Sequence, residues 1–234
     1  MSSNKAYRIK FGSRQIEYQL QFENRKTLGI KVYPDCTVQV IAPRGADLEK
    51  VGIKVRGKAH WIIKQLDDFL SYHPLTPPRR YVNGETHLYL GRQYRLKIEQ
   101  SRHGEVKLSR GKILVATNQK SVKRILQEWY RERALEFFGK VFKQQFPRFN
   151  KYQIKEPKLK VRAMLTRWGS CTPEGSVILN PELIKAPKIC IEYVIIHELC
   201  HLVHHNHTKK FYRLQHQMMP DWEKAKQRLE RALV

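Results

Sequence analysis

The stretch from Val194 to His207 holds the residue types best suited to chemistry in this chain. It contains a His-Glu-x-x-His pattern inside an apolar run. Residues four apart share one face of a helix, so His197 and His201 can direct two imidazoles at one point. Two neutral histidines in that arrangement are suited to binding a zinc ion. The pattern therefore predicts a metal site on a helix.

Glu198 directly follows the first of these histidines. A carboxylate in that position can take the proton of a water molecule that attacks a substrate. The pattern thus favours a zinc-dependent hydrolase in which Glu198 is the general base. Iron, cobalt and nickel also accept imidazole ligands, so we expect one divalent ion, with zinc as the first candidate.

A catalytic zinc ion usually takes three protein ligands, so a third one is needed. The downstream candidates are four histidines and three carboxylates: His204, His205, His207, His216, Asp221, Glu223 and Glu230. On a straight helix, His204 would lie about 10 Å along the axis from His197, too far to share an ion. Asn206 tolerates left-handed backbone angles, and a turn there would bring His207 back over the helical pair. We therefore predict that His207 is the third ligand.

Several motifs resemble those of a known family. They are Arg-Trp-Gly-Ser-Cys at 167–171, Ile-Leu-Asn-Pro at 178–181, His-Glu-Leu-Cys-His at 197–201 and Asn-His-x-x-x-Phe at 206–211. In these motifs the chain resembles the YgjP-like metal-dependent hydrolases, which are classed with zinc metallopeptidases and are similar to SprT-like and WLM proteases. The resemblance extends upstream to Gly84-Glu85 and to the Tyr-Leu-Gly-Arg stretch at 89–92.

This resemblance implies a zincin-type core. It also implies that His197, His201 and His207 are the metal ligands and that Glu198 is the catalytic acid and base. In zincins, an edge strand beside the metal commonly pairs with an extended substrate. We expect either Val161–Trp168 or Val177–Asn180 to serve as that strand.

The net charge is the most unusual bulk property of the sequence. The 234 residues carry a formal net charge of +24, and the pI is near 10.1. Such an excess favours polyanionic partners. Besides a polypeptide or nucleotide substrate, we therefore expect nucleic acid as a partner, bound through a basic surface.

Four cysteines are scattered along the chain without a CxxC pair: Cys36, Cys171, Cys190 and Cys200. That spacing fits neither a disulfide framework nor a cysteine zinc site, and free thiols suit a reducing compartment. Residues 1–10 contain no apolar segment of the kind that directs secretion. No run approaches the roughly 20 apolar residues of a membrane span. These features predict a cytoplasmic protein without membrane contact.

The hydrophobic pattern predicts alternating β and helical regions. Alternation of apolar and polar residues predicts an antiparallel meander over 7–45 and further strands over 86–116, which we expect to join it in one sheet. Two more strands are predicted over 158–180. Helical periodicity predicts helices within 47–72, over 120–146, from about Pro187 to about His205, after Thr208 and over Asp221–Leu233.

Together these elements predict an α+β fold. We expect residues 1–117 to form a mainly antiparallel, β-rich accessory region with helices. Residues 118–234 would form the zincin-like metallopeptidase core with its His-Glu-x-x-His helix. The pair Met218-Met219 is interpreted as core filling, because methionine packs well into irregular gaps.

Three functions compete at this point. The first is a zinc metallopeptidase that acts near nucleic acid. The second is a metal-dependent nucleoside triphosphate pyrophosphatase, in which arginines clamp phosphates: Arg79, Arg80, Arg162 and Arg167. The third is a basic nucleic-acid-binding module with a structural zinc, which we rank last because a closed structural site has no need of Glu198.

The residues expected to contact substrate are Arg162, Arg167, Trp168, His204 and Tyr212. A hydrolase also needs a hydrogen-bond donor for the oxyanion that develops during the reaction. Tyr212, His204 and His205 are the candidates for that donor.

Overall fold

The computed structural model describes residues 5–33, 35–70, 79–101, 104–118, 121–164 and 167–233. Within these ranges the chain forms eleven strands and six α-helices, a mixed α/β arrangement rich in antiparallel pairs. Its internal contacts divide it into two compact units, residues 1–77 and 78–233. No helix in the described ranges is long and apolar enough to cross a membrane.

The first unit combines a four-stranded sheet with two helices. Its elements are β1 (Lys5–Phe11), β2 (Arg14–Glu23), β3 (Gly29–Val32), β4 (Val38–Pro43), α1 (Leu48–Gly57) and α2 (Ala59–Leu70). The alternation predicted for β2 is present, since Ile16, Tyr18 and Leu20 are buried in this unit's core. The helices contribute Val51, Val55 and Ile62 to the same core.

The predicted antiparallel meander is wrong at the centre of this sheet. The strand order is β1-β2-β4-β3, and β2 pairs with β4 in parallel, with Leu20 opposite Val40. Residues 40–42 of β4 are all buried, as expected of a strand that has neighbours on both sides. A meander would have placed β4 at the edge and exposed this apolar run.

The second unit contains the remaining elements. They are β5 (Thr86–Tyr89), β6 (Arg92–Glu99), β7 (Glu105–Ser109), β8 (Lys112–Ala116), α3 (Val122–Gln145), β9 (Lys158–Val161), β10 (Gly169–Cys171), β11 (Ser176–Leu179), α4 (Lys188–Val203), α5 (Lys209–Met218) and α6 (Trp222–Ala232). Two 3₁₀ segments, Phe146–Tyr152 and Pro181–Lys185, follow α3 and β11.

Strands β5 to β8 form a sheet of their own, in the order β5-β6-β8-β7, so the prediction that they join the first sheet is wrong. Their β5–β6 turn is held against the segment that leads into α4. The Leu90 N–H donates to the carbonyl of Ile184, and the Gly91 N–H donates to that of Lys185. A Cβ atom on Gly91 would lie only 2.8 Å from the Pro187 Cα, so only glycine allows this approach.

These contacts, with the packing of α3 on β7 and β8, explain why residues 78–117 belong to the second compact unit. The predicted division at residue 117 therefore differs from the division between compact units. As a division between accessory and catalytic functions it stays a prediction.

A third sheet, of three strands, has the order β10-β11-β9, one strand more than predicted for this region. All four residues of β11 are buried, and the strand is paired on both sides. Val177–Asn180 therefore cannot accept a substrate strand, and that alternative is wrong. In the described part of Val161–Trp168, which leaves out residues 165–166, only Val161 lies in a strand with residues outside this range, at the edge formed by β9; Trp168 precedes β10. The edge strand on the other side is β10.

Helix α4 is the most deeply buried helix of the second unit. Its buried residues include Cys190, Ile191, Ile195, Ile196, Leu199 and Cys200. It packs against α3, α5, α6 and β10, and it begins and ends within two residues of the predicted bounds. Met218 and Met219 are buried in the same core, which confirms their interpretation as core residues.

Candidate metal centre

Three histidine side chains converge at the C-terminal end of α4. The Nε2 atom of His207 lies 3.0 Å from that of His197 and 3.1 Å from that of His201. One ligand atom from each ring lies within 4.8 Å of the others, so the three rings can share one ion. His204, His205 and His216 are outside this cluster.

The chain returns to the helix by a different turn from the one expected. Helix α4 ends at Val203, and His204 is extended, with φ −133° and ψ 103°. Asn206 does not adopt the positive φ that we expected of it. The change of direction at His204 ends the helix, and His207 then reaches the two helical histidines.

The protonation of two rings follows from their partners. The Nδ1 atom of His197 is 3.0 Å from the side-chain carbonyl oxygen of Gln215, and Nδ1 of His201 is 3.3 Å from the backbone carbonyl of His204. Carbonyl oxygens only accept hydrogen bonds, so both Nδ1 atoms carry the proton. In a neutral ring, Nε2 then presents its lone pair to the centre of the cluster.

This arrangement fits a metal ion. Two lone pairs point toward the third ring, and a single proton on His207 can satisfy only one of them. A cation at the centre satisfies all three rings. Burial, together with the neighbouring His201, lowers the pKa of His197 to about 4, so the ring is neutral and ready to coordinate at neutral pH.

Gln215 contacts the histidine cluster and was not among the residues predicted from the sequence. It is fully buried in α5, on the apolar face formed with Phe211, Leu214 and Met218. A polar residue on the buried face of an amphipathic helix was the available signal. By accepting the Nδ1 proton, Gln215 fixes the tautomer and orientation of His197.

Replacing Gln215 with leucine is expected to weaken metal binding. The change removes the acceptor for His197 Nδ1–H while keeping an apolar volume, and loss of such an outer partner typically costs about 10–100-fold in metal affinity. Competition with a zinc chelator would measure this. Gln227→Leu, at an exposed position of α6, is the control and should leave the affinity unchanged. Equal affinities in both variants would contradict the assigned role.

Phe211 forms an apolar floor under the three histidines. It is fully buried, and its ring centroid lies 5.0, 4.6 and 4.8 Å from those of His197, His201 and His207. Tyr212 stacks on the outer side of His207 at 6.0 Å. His207, although exposed, is therefore held between two aromatic rings.

The Glu198 carboxyl lies beside this cluster with only 5% of the residue exposed. Burial raises its pKa to about 8, against the opposing effects of the Arg167 charge and of a hydrogen bond from the backbone N–H of Cys171. A group with a pKa near neutrality is well matched to proton transfer at physiological pH. Cys171 itself stays uncharged, because burial raises its pKa to about 11.

Gly169 leaves the space that Glu198 occupies. A Cβ atom on Gly169 would lie 2.5 Å from Oε1 of Glu198 and 2.8 Å from its Cγ. Any larger residue must displace either β10 or the carboxyl group. Gly169 is thus a positioning residue for Glu198, which explains the need for glycine in the Arg-Trp-Gly-Ser-Cys stretch.

Gly169→Ala is expected to lower turnover while leaving metal affinity unchanged, since none of the three histidines touches Gly169. We expect at least a tenfold loss, within the range of about 10²–10⁴ that general acid–base catalysis contributes. Gly139→Ala in α3 is the matched control, because a Cβ atom there meets nothing within 4 Å. Alanine should even favour that helix. Unaltered turnover in Gly169→Ala would show that Glu198 tolerates displacement.

A cleft of about 870 Å³ opens beside the metal centre. One wall is β10 with its flanking residues, among them Arg167 and Trp168, two of the residues predicted to contact substrate. The other wall is α6, which contributes Lys226, Leu229 and Glu230. Of these three residues, Glu230 was considered from the sequence only as a possible metal ligand, because nothing local shows which face of a distant helix meets the site.

The remaining predicted substrate residues lie elsewhere. Arg79, Arg80, Arg162, His204 and Tyr212 are not among the residues that line the cleft, whereas His205 is. Of these, His204 supports His201 through its backbone carbonyl, and Tyr212 supports His207 by stacking. Both contact the histidine cluster rather than the cleft.

The family model described as "YgjP-like, metallopeptidase domain" matches residues 26–232, nearly the whole chain. The match includes the histidine cluster, Glu198 and both walls of the cleft. A comparison with curated proteins found no match.

Proposed function

Because this chain belongs to the YgjP-like metallopeptidase family, we propose that it hydrolyses peptide bonds with one zinc ion held by His197, His201 and His207. The observation that carries the proposal is the convergence of three Nε2 atoms beside a buried carboxyl group. We propose a zincin-like catalytic core within the second unit, since every residue of this site lies after residue 166.

In the proposed mechanism, a zinc ion at the three histidines would supply Lewis acidity, which lowers the pKa of water and polarises a carbonyl group. Glu198 takes a proton from the attacking water and delivers it to the leaving amine. Glu198 must be ionised to take that proton, and a zinc ion at the histidines would favour the ionised form against the burial that raises its pKa. The backbone N–H of Cys171 and the charge of Arg167 also stabilise the ionised form of Glu198.

Strand β10 is the proposed platform for the substrate backbone. Trp168 and Thr172 make the ladder hydrogen bonds to β11 on either side of it. In an antiparallel pair such bonds alternate, so the backbone groups of Gly169 and Cys171 point away from β11. The Cys171 N–H donates to Glu198, which leaves the Gly169 backbone groups and the Cys171 carbonyl for a substrate. An extended peptide can therefore pair with this edge beside Glu198.

A phosphoanhydride substrate fits the cleft less well. A triphosphate needs several cations, but the lysines and arginines lining the cleft are Arg167 and Lys226, and Lys226 lies 3.7 Å from the carboxylate of Glu230. Glu198 adds a second acidic group. A closed structural zinc site is also disfavoured, because a cleft of this size has no role in it.

Incubation of the zinc-loaded protein with an unfolded polypeptide, and separately with nucleoside triphosphates, tests the proposal. We expect peptide fragments, detected by mass spectrometry, and no release of pyrophosphate. The reverse result would assign the site to phosphoanhydride hydrolysis. Reloading the stripped protein with zinc, iron, cobalt or nickel in the same assay would identify the active metal. A nucleic-acid partner remains part of the proposal on the strength of the +24 net charge.

A further inference from the structure

A second, smaller cavity lies on the four-stranded sheet of the second unit. Its volume is about 350 Å³, and it is bordered by β5, β6 and the turn between β7 and β8. It shares no lining residue with the cleft at the metal centre. All its charged lining residues are cations: Arg95, Arg110 and Lys112.

Strand geometry brings two of these cations together on the solvent face of the sheet. Arg95 is exposed next to buried Leu96, and Lys112 is exposed next to buried Ile113. Arg95 is the register partner of Lys112 on β8 and of Thr86 on β5. Since neighbouring strands lie about 4.8 Å apart, the two charges stand side by side with a hydroxyl beyond them.

Two carboxylates on this face form ion pairs with other lysines. Lys97 pairs with Glu99 at 2.6 Å, and Lys107 pairs with Glu105 at 2.8 Å. Within the described ranges none of the three cavity cations forms an ion pair, although the charge of Lys112 adds to that of Lys97 in lowering the pKa of Glu99. Like charges placed directly opposite each other destabilise a sheet, so this cluster costs stability until an anion neutralises it.

We propose that this cavity binds a phosphate group. Arginine presents paired N–H donors that match two phosphate oxygens, and lysine adds a compact charge. Thr86 and Gln93 supply neutral donors at the rim of the same cavity. The cavity is open to solvent, so the phosphate can come from the backbone of a single-stranded nucleic acid or from a free anion such as pyrophosphate.

The test compares two double variants of the full-length protein that remove equal charge from the same sheet face. Arg95→Ala with Lys112→Ala empties the cavity of two cations, whereas Lys97→Ala with Lys107→Ala removes two lysines that already have carboxylate partners. Two measurements apply to each: anisotropy of a fluorescent single-stranded oligonucleotide over a salt series, and the change in Tm on adding pyrophosphate. Both variants retain the histidine cluster, so any effect of pyrophosphate at that cluster is the same in both.

The cavity variant should bind the oligonucleotide at least tenfold more weakly than the control variant. Its salt slope should fall by about 1.4, since each single-strand phosphate contact contributes about 0.7. Pyrophosphate should raise the Tm of the wild type and the control but not that of the cavity variant. A response to one probe alone supports the site and identifies its ligand. Equal losses in both variants, or no response to either probe, would overturn the proposal.

Discussion

Glu198→Gln is expected to abolish turnover while the protein retains its metal. Glutamine keeps the size of the side chain, but it cannot take a proton from water. Since general acid–base groups contribute about 10²–10⁴-fold, we expect a loss at the upper end of that range. The measurement is the rate of peptide cleavage, with the metal content of the same samples determined by mass spectrometry.

The matched control for this change is Glu230→Gln, which alters the other carboxylate of the cleft. Glu230 lies on α6, close to Lys226 and on the opposite wall from β10. We expect it to affect substrate affinity by no more than a few fold. Glu198→Gln should not lower the Tm of the metal-free protein, because burial raises the Glu198 pKa to about 8 and at neutral pH an amide replaces a mostly neutral carboxyl group of the same size. A Glu198→Gln protein with full activity would remove Glu198 from the mechanism.

His207→Ala is expected to remove most of the metal affinity, and activity with it. Loss of a direct ligand should weaken metal binding more than loss of an outer partner, which typically costs about 10–100-fold in affinity. His207 is exposed, so its removal leaves the core intact and the Tm of the stripped protein unchanged. Chelator competition and cleavage assays would measure the two effects.

His205→Ala provides the comparison for that variant. His205 is also exposed, lies two residues earlier and lines the cleft, but it stands outside the histidine cluster. We expect its metal affinity to stay within twofold or threefold of the wild type. If His205→Ala lost the metal and His207→Ala kept it, the third ligand would have been assigned to the wrong histidine.

The candidate site was largely predictable because its ligands are local. The spacing of His197 and His201 on a helix follows from helix geometry alone, and the apolar run around them fixes the helix. The need for a turn was enough to predict that His207 lies near the other two histidines. The backbone conformation of that turn was not predicted. His204 ends the helix with an extended backbone, and its carbonyl accepts the His201 proton.

The topology and the distant contacts were less predictable. The sequence of β4 shows apolar residues but not that the strand pairs in parallel with β2, because register depends on packing across the whole sheet. Gly169 and Gln215 act on the site from other elements. The local sequence signal for each is weak. Gly169 is a glycine in a strand, and Gln215 is a polar residue on the apolar face of a helix.

The residues of the histidine cluster and the residues that form the walls of the cleft lie in separate parts of the chain. The three histidines lie between His197 and Gln215 together with Phe211 and Gln215, which contact them, whereas the walls of the cleft come from β10 and α6. Substitutions in the cleft walls can thus alter substrate selectivity without changing the segment that contains the three histidines. Gly169 is the exception, because it belongs to a wall and yet sets the place of Glu198.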